Sequence, residues 1–194
     1  PIVAIEGEGD EAEYVWHTPA RSIGRMRAFH GNFGMHVRAY TYIRVHGEAG
    51  LRAVSQNAVL NANYVQARIK QLGLFPLPNG ERFCMHEVCA QCKIDGAPTV
   101  VALDISKRLM DHGFHPPTNY FPLPTIVPES LLIEPTETES KQMLDKFVEA
   151  LQSIVDEART QPEILKTAPH TAPLRRLDEV KAAKELVLCC VVAS

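Results

Sequence analysis

Residues 83 to 159 predict a small α+β domain in which helices cover one face of an antiparallel sheet, and three observations carry this. Two segments, Thr99 to His112 and Glu139 to Arg159, repeat apolar residues at three- and four-residue steps, the mark of an amphipathic helix. Three runs, near 83 to 92, 114 to 121 and 130 to 134, read as strands. Their order, strand, helix, strand, strand, helix, puts both helices on one side of the sheet.

In chain order, Pro1 to Ile5 and Tyr14 to Trp16 are short strand candidates joined by an acidic turn, so a hairpin is expected. Arg21 to Gly34 follows with glycines at 24, 31 and 34, where the backbone is free to turn tightly or to approach an anion; an ordinary turn is the plainer reading. Phe33 to Val45 reads as one helix and Glu48 to Leu72 as a longer one. In the second, Leu51, Val54, Ala58, Ala62, Val65, Ile69 and Leu72 form one apolar stripe, and Leu60 with Tyr64 adds a second face. Asn61 and Asn63 interrupt it with poor helix formers, so they are expected to bond backbone or an adjacent loop, or to meet a partner subunit. Pro76, Pro78, Asn79 and Gly80 mark a domain boundary, which divides the chain into 1–75 and 76–194.

The stretch from Gly113 to Glu139 holds the densest chemistry. Gly113 sits where a helix ends in a left-handed residue. His115 is held by Pro116 and Pro117, which restrict the backbone on either side of them. Leu131 to Ile133 reads as a buried strand ending at Glu134, whose carboxylate is placed to line a cleft. Thr136 and Glu139 have the spacing of a capping box for the following helix. Upstream, Cys84, His86, Cys89 and Cys92 imitate a zinc site, but along a strand they point to opposite faces, so no metal is expected. His86 and Glu87 would likewise face opposite sides. Beyond Thr160 a loop carrying His170 precedes a short helix at 175 to 185.

Composition excludes several classes. A net charge of −3 without charged blocks gives no nucleic-acid footprint and no membrane surface. No run reaches the roughly 18 apolar residues of a membrane span, and no signal pattern opens the chain. Five cysteines without framework spacing suit a reducing compartment, so a cytoplasmic location is expected.

The wording RSIGR, AFHGNFG, VRAYTYIR, GFHPPTNYFP, LLIEPTETES and APHT followed by RRLDEVKAA resembles decarboxylating glycine dehydrogenase, the P protein of the glycine cleavage system, and most of all subunit 2 of its two-chain form. The resemblance runs from about Pro1 to Leu188; the apolar tail Cys189 to Val192 departs from it. It implies an α/β pyridoxal-phosphate transferase-like fold (fold type I), with 1–75 as the end of the large cofactor domain and its interdomain helix. It implies an oxidoreductase that decarboxylates glycine and passes the aminomethyl group to the lipoyl arm of H protein. Pyridoxal phosphate would be the cofactor, with P protein subunit 1 and lipoylated H protein as partners in a hetero-oligomer. His115 and His170 would then handle protons, while His86, Glu134 and Thr136 would line the substrate or lipoyl channel. The family's Schiff-base lysine follows a histidine, and no histidine here precedes a lysine, so the chain alone is expected to be inactive. Two alternatives stay open at this point: a docking domain without chemistry, and the C-terminal domain of another fold-type I enzyme, an aminotransferase or decarboxylase.

Overall fold

A computed structural model of the chain describes residues 1–24, 26 and 30–187. The packing forms two compact units, which meet in sequence between Ala49 and Gly50. The later half of the helix before the proline-rich stretch at 76 to 80 packs into the second unit, where Ala62, Val65 and Ile69 are wholly buried.

In the first unit, β1 (Ile2–Glu6) pairs antiparallel with β2 (Glu13–His17), setting Ile2 opposite His17 and Glu6 opposite Glu13. This is the expected hairpin, closed by a short 3-10 turn at Gly9–Glu11. The indole of Trp16 stacks on His30 with ring centres 4.8 Å apart. Of the glycine-rich segment, Arg25 and residues 27 to 29 lie outside the described residues, as does the tail from Cys189 to Val192. Helix α1 (Phe33–Leu72) then opens and breaks at Gly47, whose φ of 61° and ψ of −174° no helix contains. A side chain would be crowded at that φ, so glycine lets one helix stop and the next begin, as the two expected helical segments require. None of the described residues of this unit is buried.

The second unit is an α/β domain with an antiparallel three-stranded sheet. Strands β3 (Val88–Gln91), β4 (Thr118–Asn119) and β5 (Ser130–Ile133) lie in the order β3-β5-β4. Val88 faces Ile133 and Ala90 faces Leu131, and all four are buried; Cys89 and Leu132, paired on the other face, are only half-buried. Period-two alternation thus marks one covered and one uncovered face. Helices α2 (Ala102–Asp111) and α3 (Lys141–Thr160) supply the cover. Ile105 and Leu109 from α2, and Leu151 and Ile154 from α3, join Ile69 and Leu131 in a core where each is fully buried. Each such side chain contributes roughly 1.5–3 kcal/mol. Asn119 accepts a 2.5 Å hydrogen bond from Ser106 Oγ, fixing β4 to α2.

Several elements differ from expectation. The run Phe83 to Glu87 is not a strand; the carboxamide of Asn63 takes both the N–H and the carbonyl of Cys84, so this backbone bonds a side chain instead of a strand partner. The box expected at Thr136 and Glu139 does not form. Ser140 caps α3 by accepting from Met143 N–H at 3.3 Å, and the Thr136 hydroxyl bonds that of Thr138 at 2.6 Å. Residues 162 to 167, read as loop, form α4 (Pro162–Thr167), started by a proline at its first turn and pinned by the buried Leu165. The second face of α1 is half met: Tyr64 packs at the edge of the core, while Leu60 is 65 % exposed. The C-terminal helix α5 (Glu179–Lys184) lies where the sequence placed one, capped by Asp178.

Candidate functional site

Gly113 ends α2 as the sequence required, with φ 82°, while Phe114 N–H bonds back to Leu109. The chain therefore turns out of the helix in a fixed direction and carries His115 along the wall of a cleft of about 470 Å³. Pro116, Pro117 and Pro135 stiffen its rim, Ile133, Leu144 and Phe147 form its apolar floor, and Glu134, Thr136 and Glu139 supply its polar groups. A second cleft, of about 340 Å³, holds His86, Glu87 and Cys89 and shares Leu132 with the first.

His86, in the second cleft, approaches Glu134 of the first. Its Nε2 lies 3.5 Å from a Glu87 carboxylate oxygen and 3.9 Å from one of Glu134. All three side chains are partly or largely open to solvent. The expectation that His86 and Glu87 face opposite sides fails because the segment is a loop, and the loop turns both toward Glu134. Among the described residues these three are the group able to bring ligand atoms together, within 4.8 Å of one another; the cysteines expected to imitate zinc do not gather. Cys84, Cys89 and Cys92 are free thiols whose pKa is pushed up by burial, most strongly at Cys92, so they pack as small apolar groups.

His170 lies elsewhere. Its backbone N–H donates to Asp111 Oδ1 at 2.6 Å, and its Nε2 meets the Ile164 carbonyl at 2.9 Å. Asp111 is the centre of this cluster, since Oδ1 also accepts from Thr171 N–H and the Thr171 hydroxyl, and Oδ2 from Arg108. Burial pushes its carboxyl up, but the donors from Thr171, His170 and Arg108 outweigh burial and hold it at about 2. The structure thus brings His86, His115, Glu134 and Thr136 to adjoining clefts and sets His170 in a satisfied network outside them. Sequence reasoning missed Asp111, although an acid in the last turn of a helix, against the dipole, was a visible sign of a specific partner.

The fold and site define a class first: a small antiparallel α/β domain that presents imidazole and carboxylate groups in two adjoining clefts. The particular family follows from sequence. Residues 54–175 match the family described as glycine dehydrogenase, C-terminal domain, and the chain belongs to that family. It is 51 % identical to a probable glycine dehydrogenase (decarboxylating) subunit 2 of Chlorobium phaeobacteroides, over 98 % of this chain and 39 % of that protein. The like-named protein of Coxiella burnetii is 51 % identical over 97 % of this chain and 38 % of its own length. That of Nitrosospira multiformis is 48 % identical over 97 % and 37 %. The chain therefore spans about two fifths of the length of these relatives. The family match displaces the aminotransferase and other decarboxylases as alternatives.

Proposed function

We propose that the chain is the C-terminal part of the pyridoxal-phosphate glycine decarboxylase of the glycine cleavage system, an oxidoreductase of the cytoplasm. The whole enzyme decarboxylates glycine and transfers the aminomethyl group to the lipoyl arm of H protein. The relatives' names support glycine decarboxylation, and the words subunit 2 support a second subunit, P protein subunit 1, in a hetero-oligomer. No helix of the described residues is long and apolar enough to cross a membrane. In this reading the fold is that of the fold-type I enzymes, with residues 1–75 ending the large cofactor domain and 76–194 forming the small one.

Pyridoxal phosphate is not a group these residues fit by themselves. The cleft around His115 is lined by Glu134 and Glu139 and by no lysine or arginine, so nothing there opposes a phosphate or condenses with an aldehyde. The cofactor belongs to the whole enzyme, where it acts as the electron sink for loss of CO2. What this chain supplies is the wall. Proline-stiffened backbone and the floor of Ile133, Leu144 and Phe147 keep water from one side of the cleft, and Glu134 and Thr136 offer oxygen acceptors at its mouth. His115 gives and takes a proton at an imidazole nitrogen. His86 stands beside Glu134, 3.9 Å away. His170 is assigned a positioning part, because its Nε2 is already held by Ile164.

The observation that carries this reading is that Glu134 shares a cleft with His115 and meets His86 of the adjoining cleft, within a chain of this family. In the complete enzyme, His115→Ala should slow glycine-dependent CO2 exchange at least tenfold with its thermal midpoint unchanged. Exchange at the wild-type rate would remove the assignment. A docking domain without chemistry is the second reading, favoured by the first unit, where Trp16, Phe33 and Tyr40 are exposed. In that case Trp16→Ala would weaken subunit association, and His115→Ala would leave exchange by the assembled enzyme intact.

A further inference from the structure

Two loops carry His86 and Glu134, and neither is held by the sheet. Cys84 to Glu87 precedes β3, and Glu134 to Glu139 joins β5 to α3. Each is tied to one residue of α1. Asn61 Nδ2 donates to the carbonyls of Thr136, at 2.8 Å, and Glu139, at 3.1 Å. Asn63 Nδ2 donates to the Cys84 carbonyl at 2.8 Å, and its Oδ1 accepts from Cys84 N–H at 3.0 Å. A step of two residues turns about 200° around a helix, so the two carboxamides leave α1 on opposite flanks. Between them Ala62, fully buried, seats the helix on the core without a side chain long enough to hold it off.

We propose that Asn61 and Asn63 are positioning residues of the reaction, a pair of clamps on one rigid helix that sets His86 against Glu134; this rests on the site proposed above. Carboxamides suit the task because each supplies both a donor and an acceptor without charge, and would not compete with the carboxylates for His86. Their cost in helix propensity is the sign of it in the sequence: two poor helix formers persist inside a long helix because their side chains are spent on loops 75 and 21 residues away.

The test uses the complete enzyme with its partner subunit. Asn61→Asp and Asn63→Asp keep the shape and lose the donors. Hydrogen exchange read by mass spectrometry should quicken in peptides covering 134–140 for the first and 82–88 for the second, and nowhere else. Glycine-dependent CO2 exchange should fall at least tenfold in kcat, with KM for glycine within twofold. In a Glu134→Ala background Asn61→Asp should cost less than twofold, because the group it positions is gone. Unchanged loops, unchanged kcat, or the same tenfold loss in both backgrounds would overturn the inference while leaving the site intact. If Glu134→Ala and His86→Ala are themselves silent, the site reading fails and this inference falls with it.

Discussion

The cluster around Asp111 and the cleft around His86 contain the same kinds of side chain, and they differ in how completely those side chains are used. Asp111 is 3 % exposed and accepts four hydrogen bonds, two from backbone N–H groups, one from a hydroxyl and one from a guanidinium. Nearby, Arg108 makes two further bonds to Glu157, at 2.8 and 2.9 Å, and Arg176 joins Asp104 at 2.5 Å while donating to the carbonyls of Leu165 and Ala168. The network binds α2, α3, α4 and the following loop together. At the cleft, His86, Glu87 and Glu134 approach at 3.5 to 3.9 Å, beyond hydrogen-bond length, and remain open to solvent. Satisfied groups hold a fold together; groups brought close and left unsatisfied remain available to something else. Histidine alone therefore says little about role, and the partners of its ring decide it.

Substitutions should separate the two regions, and the largest effect is expected at Arg176. Arg176→Met leaves the Asp104 carboxylate, 4 % exposed, without its cation, and should destabilise the protein by about 3 kcal/mol. Glycine-dependent CO2 exchange measured below the unfolding transition should be unchanged. A smaller loss is expected at Asp111, whose carboxyl is lowered from 3.8 to about 2. The folded state favours the ionised form, so the stabilisation is complete above 3.8 and disappears as the pH falls through about 2. Asp111→Asn should therefore lose about 2 kcal/mol at neutral pH, and the gap from wild type should close over that acidic window in urea titrations. At His170 the substitution to Ala removes one hydrogen bond to the Ile164 carbonyl and should cost about 1 kcal/mol. The smallest change in stability is expected at the cleft itself, where His86→Gln should stay within about 0.5 kcal/mol while changing the exchange rate several-fold. A large fall in melting temperature for that variant, or none for Arg176→Met, would erase the distinction between the regions.

Parts of this division were legible beforehand. Gly113 and the prolines after His115 announced a turned, stiff segment, and Glu134 at a strand end was correctly set beside a cleft. The strand geometry used against a zinc site at the cysteines does not exist at 84 to 86. Glu87 was placed on the wrong side for the same reason. Asn61 and Asn63 were read as bonding an adjacent loop, and they do, but which loop was invisible.

The amino-acid order by itself settled the hairpin, the helical segments on either side of Gly47, the antiparallel arrangement with its helices and the family, because these depend on short-range periodicity, turn chemistry and extended wording. Tertiary structure alone decided that Asn61 reaches Thr136, that His86 meets Glu134, and that His170 answers to Asp111. Apolar periodicity tells a chain which faces to bury, and many arrangements of polar ends satisfy the same burial. Only when helix and sheet have closed on one another do distant donors and acceptors find a single set of partners, and the site is written in that set.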